Sequence, residues 1–150
     1  GRNVKMRIVV ADESEVNFLA MNGRRAPLQL LSKLENESAR LHERDLETDR
    51  PGRSFDRIGA GRHAMDGERS TQRQQQVRFA KRIAEALETA RKDHAFDRLV
   101  VMAAPRMLGL LRDAMPDTSR AAVVAEVPKD LVHVDPKAIR NYIPRAALIG

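Results

Sequence analysis

Three short apolar runs open the chain with no helical period between them, and that order restricts the fold more than any other feature. Met6 to Ala11 is rich in β-branched and apolar residues and stops at Asp12-Glu13-Ser14-Glu15. Val16 to Met21 forms a second run, closed by the turn pair Asn22-Gly23. Leu28 to Leu34 partly alternates and predicts a third strand. Strands that follow one another without a crossover are most economically joined as an antiparallel meander.

The period lengthens at Gln74. Val77, Ala80, Ile83, Ala84, Leu87 and Ala90 recur at three- and four-residue steps, with Arg78, Lys81, Arg82, Glu85, Glu88 and Lys92 left for the other face. That pattern predicts an amphipathic helix to Lys92, supported by Lys81/Glu85 and Glu88/Lys92 one turn apart. Phe96 to Ala103 reads as a buried strand, and Pro105 suits the first position of a helix with Met107, Leu108, Leu111 and Met115 inward. Asp117-Thr118-Ser119 turns the chain into a fifth strand, Ala121 to Val127. Asp135 before Pro136 is a helix start signal, opening a last helix through about Tyr142. The order β-β-β-α-β-α-β-α predicts an α/β (α+β) domain with a mixed sheet and helices on its faces, in the ribonuclease-H-like arrangement. Expected core residues are Val9, Val10, Leu30, Ile83, Leu87, Leu99, Val101, Leu108, Leu111, Val123 and Val124. At 150 residues the chain suits one domain, 1–150.

Residues 40–72 interrupt this pattern. They are dense in Arg, Asp, Glu, Gly and Ser, with Leu41, Leu46, Phe55 and Ile58 as scattered larger apolar anchors. So little buriable surface predicts a long, mobile inserted loop. Within it, Arg50, Arg53, Arg57 and Arg62 are placed to grip phosphates, with His63 as a further contact and Phe55 as an apolar anchor. Gly59 and Gly61 would let the backbone approach a partner closely. Asp45, Asp49, Asp56, Asp66 and Glu68 alternate with these arginines, so a self-neutralising loop is the alternative. The whole chain carries a formal charge of +6, with 21 Arg against 6 Lys, a bias that favours polyanionic partners. Aromatic residues make up only 3%, too few for a base-stacking platform. The partner expected is RNA or the ribosome, held through backbone charge and shape; an acidic protein is the alternative. These residues specify no oligomeric state.

Other chemistries find less support. With no cysteine, disulfides, thiolate metal sites and a Cys nucleophile are excluded. His42, His63, His94 and His133 show no HxxxH or HExxH spacing, so no metal or cofactor is expected. No strand immediately precedes Gly59-Ala60-Gly61, and the third glycine of a dinucleotide fingerprint is misplaced. Two-metal phosphodiester cleavage would need carboxylates from the first strand, the first helix and the fourth strand. Asp12 and Glu85 supply two, but the fourth strand ends Met102-Ala103-Ala104. A hydrolase acting on an ester or phosphodiester, through Asp12 and His63, is the remaining enzymatic alternative. Ser54 and Ser70 have no G-x-S-x-G context. The first residues have no signal-like apolar region and no run approaches about 18 apolar residues, so the expectation is a cytoplasmic protein with no membrane contact.

Several motifs are spaced along the chain in a familiar order. They are Asp49-Arg50-Pro51-Gly52-Arg53 with Phe55-Asp56, Gly59 to Arg62, Phe79-Ala80, Phe96-Asp97-Arg98-Leu99-Val100, Ala104-Pro105-Arg106 with Leu108-Gly109, and Val127-Pro128-Lys129-Asp130-Leu131. Together they resemble the bacterial host attachment protein family from about residue 6 to 143. That family is more distantly similar to the central domain of archaeal and eukaryotic peptide-chain release factors, which implies the ribonuclease-H-like order and contact with the ribosome. Those domains carry a mobile Gly-Gly-Gln loop before their long first helix. Here Gly59-Ala60-Gly61-Arg62 occupies the corresponding place, and the nearest glutamines, Gln72, Gln74, Gln75 and Gln76, fall at the expected helix start. Without Gly-Gly-Gln, the resemblance implies a non-catalytic domain. The family name implies attachment to a host cell, so an intracellular protein-interaction or regulatory module for attachment or surface colonisation is the second functional expectation.

Overall fold

Alternation along the strands sorts the apolar side chains onto two faces. Val9, Ala11, Val16, Phe18, Leu99, Val101 and Ala103 share one core, while Met6, Ile8, Val10, Leu19, Met21, Val100 and Met102 share the other. Strands apolar on both faces must be covered on both. The computed structural model, which describes residues 4–39 and 61–149, has that arrangement.

The centre is a mixed five-stranded sheet in the order β3-β2-β1-β4-β5. Strand β1 (Lys5–Ala11) runs antiparallel to β2 (Glu15–Asn22), with Val9 opposite Phe18 and Val10 opposite Asn17. Strand β2 pairs antiparallel with β3 (Gln29–Glu35), so the expected meander forms. Its second turn uses Gly23 at φ 117°, a left-handed conformation that glycine adopts without strain. Strands β4 (Arg98–Ala103) and β5 (Val123–Val127) then add in parallel on the other side of β1.

Helices α1 (Gly61–Lys92) and α2 (Pro105–Ala114) cover the first face through Phe79, Ala80, Ile83, Ala84, Leu87, Met107, Leu108 and Leu111. The second face is closed by the chain after β5. Leu131 and Val132 lead into α4 (Pro136–Ile139), a 3₁₀ turn (Arg140–Tyr142) and α5 (Arg145–Leu148), burying Ile139, Ile143 and Ala147. Asp135 caps α4 as expected, its carboxylate accepting from the Lys137 amide at 2.9 Å.

Four expectations need correction. Residues 61–72, the described part of the expected 40–72 loop, are helical, and α1 starts 13 residues before Gln74. The apolar period that marks a helix start also requires burial, and none of the described side chains of α1 before Gln76 is buried. Leu30 and Val124 are exposed, at 43% and 42%, and Val123 is half-buried. All three lie on edge strands, and in β3 only Leu34 is less than exposed. Asp117-Thr118-Ser119 is not a bare turn but opens a helical turn, α3 (Asp117–Arg120). Glu88 pairs with Arg91 rather than Lys92, because Arg91 reaches it with two nitrogens, at 2.8 and 3.1 Å. The rest of the expected core, Val9, Val10, Ile83, Leu87, Leu99, Val101, Leu108 and Leu111, is buried.

Candidate functional site

Of the residues singled out in the sequence, Arg50, Arg53, Phe55, Arg57 and Gly59 lie outside the described residues. Gly61 is the first residue of α1, and Arg62 and His63 follow it in the first turn. They belong to a helix that continues unbroken to Lys92, not to a loop.

That helix has two unlike halves. From Gln76 on, its inward residues are buried: Gln76, Phe79, Ala80, Ile83, Ala84 and Leu87. Before Gln76, every described side chain is exposed or half-buried on all sides of the helix. Gly67, Arg69, Ser70, Thr71, Arg73 and Gln74 are exposed, and Gln72 and Gln75 half-buried. The described stretch 67–75 thus forms an arm with no buried side chain, about 14 Å long at 1.5 Å per residue. Arg69 and Arg73 lie on this arm, and Arg78 and Lys81 are exposed where it meets the body. Among the described residues none of these four has an acidic partner; the ion pairs present are Arg91–Glu88 and Arg112–Glu126. Arg82 is engaged, donating to the Glu35 carbonyl at 3.3 Å and lying 5.8 Å from the Phe79 ring centre.

A polar cavity of about 220 Å³ opens at the root of the arm, lined by Glu13, Ser14, Asn36, Gln72, Gln75 and Gln76 among others. Its floor is rigid: the Asn36 amide donates to the Ser14 carbonyl at 2.7 Å and its side chain to the Glu13 carbonyl at 3.0 Å. Gln76 is 8% exposed, and its Oε1 is buried without a partner. An unpaired buried acceptor is costly, so a donor from a bound polar group would be stabilised here. The glutamines sit three to four turns inside α1 rather than at its start. A larger, open cavity of about 510 Å³ lies along the edge of β5, beside the Arg112–Glu126 pair.

The hydrolytic constellation does not assemble among the described residues. Asp12 closes the β1–β2 turn, its Oδ1 accepting from the Ser14 and Glu15 amides at 2.7 and 2.8 Å. Glu85 is exposed on α1, which covers the first face. Asp12 instead gathers with Glu15 and His133, whose ligand atoms lie within 4.8 Å of one another and could hold a metal. Residue spacing could not reveal this group, since His133 comes from the far end of the chain and joins it only through packing on the second face. Among the described residues, no helix is long and apolar enough to cross a membrane.

No curated protein matches the chain. A family match does exist, and it covers residues 7–143, nearly everything described above including the sheet and α1. The chain belongs to the family described as protein required for attachment to host cells.

Proposed function

We propose that this protein is a non-catalytic RNA- or ribosome-associated domain that makes contact through the basic arm of α1 and the arginine-rich segment before it. One observation carries this: before Gln76 the 32-residue helix buries none of its described side chains and presents Arg69 and Arg73 with no described carboxylate against them. A stretch of this kind gains little from burial, while its exposed cations can displace counterions from phosphates. Arg50, Arg53, Arg57 and Arg62, with Phe55, Gly59, Gly61 and His63, would extend the contact towards the arm's tip. The strand order β3-β2-β1-β4-β5, with β2 antiparallel to its neighbours, supports reading the fold as ribonuclease-H-like. It also supports the distant likeness to release-factor central domains, whose long first helix follows their mobile loop.

The family name points to a role in host attachment, which an RNA-associated protein would serve indirectly. The test is co-sedimentation with ribosomes across a salt titration, comparing the wild type with an Arg69/Arg73/Arg78→Ala variant. The expected result is binding that weakens steeply with salt, with a shallower slope in the variant. If neither protein sediments and a pull-down returns protein without RNA, the arm serves an acidic protein partner and the ribosomal reading fails.

A further inference from the structure

We infer that Asp12, Glu15 and His133 form a binding site for one transition-metal dication of the manganese-to-zinc series. Two carboxylates and one imidazole already sit with ligand atoms within 4.8 Å of one another. In a tetrahedral shell with bonds of about 2.1 Å, ligand atoms lie about 3.4 Å apart, a gap small enough for side-chain rotations to close. His133 is exposed and Glu15 half-buried, leaving both room to turn.

The site is braced from outside. Asp12 is held through its Oδ1 by two backbone amides, which orients the carboxylate and leaves the second oxygen for the metal. That is the outer-shell support that metal-binding carboxylates need. A second observation is independent of the cluster. Asn17, two residues along β2 from Glu15 and on the same face, donates its Nδ2 to the Val132 carbonyl at 3.4 Å, while its Oδ1 is buried with no partner. This bond ties the segment carrying His133 to the strand carrying Glu15.

Position agrees with chemistry. The cluster lies at the carboxyl end of β1, beside the parallel strand β4, the edge of an open α/β sheet where ligands bind. His133 reaches it from the chain that closes the sheet face opposite α1, while Glu13 and Ser14 of the same turn line the cavity at the root of the arm. Two carboxylates give it a local negative charge on a protein of net charge +6. The imidazole nitrogen favours manganese, cobalt or zinc over magnesium or calcium, which take oxygen shells.

The experiment is calorimetric titration of the chelator-treated full chain with Zn²⁺, Co²⁺ and Mg²⁺, with visible absorption of the Co²⁺ form. One equivalent of Zn²⁺ or Co²⁺ is expected, with Mg²⁺ much weaker. His133→Ala and Glu15→Gln should each weaken Co²⁺ binding at least about tenfold and change its spectrum. Asp12→Asn, which keeps the turn acceptor but drops the charge, should weaken it while the circular dichroism stays unchanged. His63→Ala and His94→Ala should bind as the wild type does. Affinity unchanged in His133→Ala, or equal affinity for Mg²⁺, would overturn the assignment.

Discussion

Replacing Leu87 with Ala tests whether α1 is fastened where the packing places it. Leu87 is 1% exposed and belongs to the core that joins α1 to Val9, Leu99 and Val101. The change removes three carbon groups, worth about 2.4 kcal/mol at about 0.8 kcal/mol each. The cavity left behind raises the loss to about 3–5 kcal/mol, since a site between a helix and a sheet collapses poorly. Against a typical total of about 5–15 kcal/mol, that is a large fraction of the stability. The chain has no Trp, so urea unfolding is best followed by far-ultraviolet circular dichroism. The midpoint should fall sharply while the slope against urea stays the same. Leu30→Ala is the matched control: its side chain is 43% exposed on β3, and it should cost less than about 1 kcal/mol. A loss under about 1 kcal/mol at Leu87, or an equal loss at Leu30, would refute the account of which leucine faces the core.

Two further outcomes are expected. Glu88 accepts from Arg91 at 2.8 Å, from Ser119 at 2.6 Å and from Thr118 at 2.8 Å, and these bonds, Arg91 first, hold its carboxyl at about 2 instead of 4.5. A folded-state value below the unfolded one adds stability above about pH 4.5 that disappears as pH falls towards 2; melting temperatures of wild type and Glu88→Gln should therefore differ near neutrality and converge near pH 2. Arg140 donates to the Ala26 carbonyl at 2.5 Å and also to the Arg24 carbonyl, pinning the β2–β3 turn to the last helices; Arg140→Met should cost about 1–3 kcal/mol in urea unfolding and speed amide exchange in that turn.

How much of this was legible in the sequence depended on whether an element earns its place by burial. Strands β1, β2 and β4 and the second half of α1 are lined by residues such as Ile8, Phe18, Val100 and Ile83 that are wholly or nearly wholly removed from water. Their periods could be read directly, and the meander, the α1–α2 face and the Asp135 cap followed. The edge strands were recognised as strands but misjudged as core, because Leu30 and Val124 have the composition of buried residues while both are exposed. The first half of α1 was missed altogether. The Asp12–Glu15–His133 cluster was unreadable for a different reason: a site assembled across the second face depends on where the chain after β5 packs, and no local spacing encodes that.

The unburied half of α1 needs an explanation that burial does not supply. Helix formation is limited by its nucleus, and adding residues to an existing helix is nearly neutral for good helix formers. The docked half, from Gln76 to Lys92, provides the nucleus. The arm then propagates from it through Ala64, Met65, Glu68, Arg69, Gln72, Arg73, Gln74 and Gln75, residues of high helix propensity, interrupted by the weaker formers Asp66, Gly67, Ser70 and Thr71. An arm held by propagation alone has little to lose when its tip opens, so it belongs to the least stable part of the molecule. That property suits a contact surface. Its described arginines, Arg69 and Arg73, are carried at helical spacing and exposed. The sheet and the arm thus differ in kind: one maintains the fold by burial, and the other displays Arg69 and Arg73 to solvent.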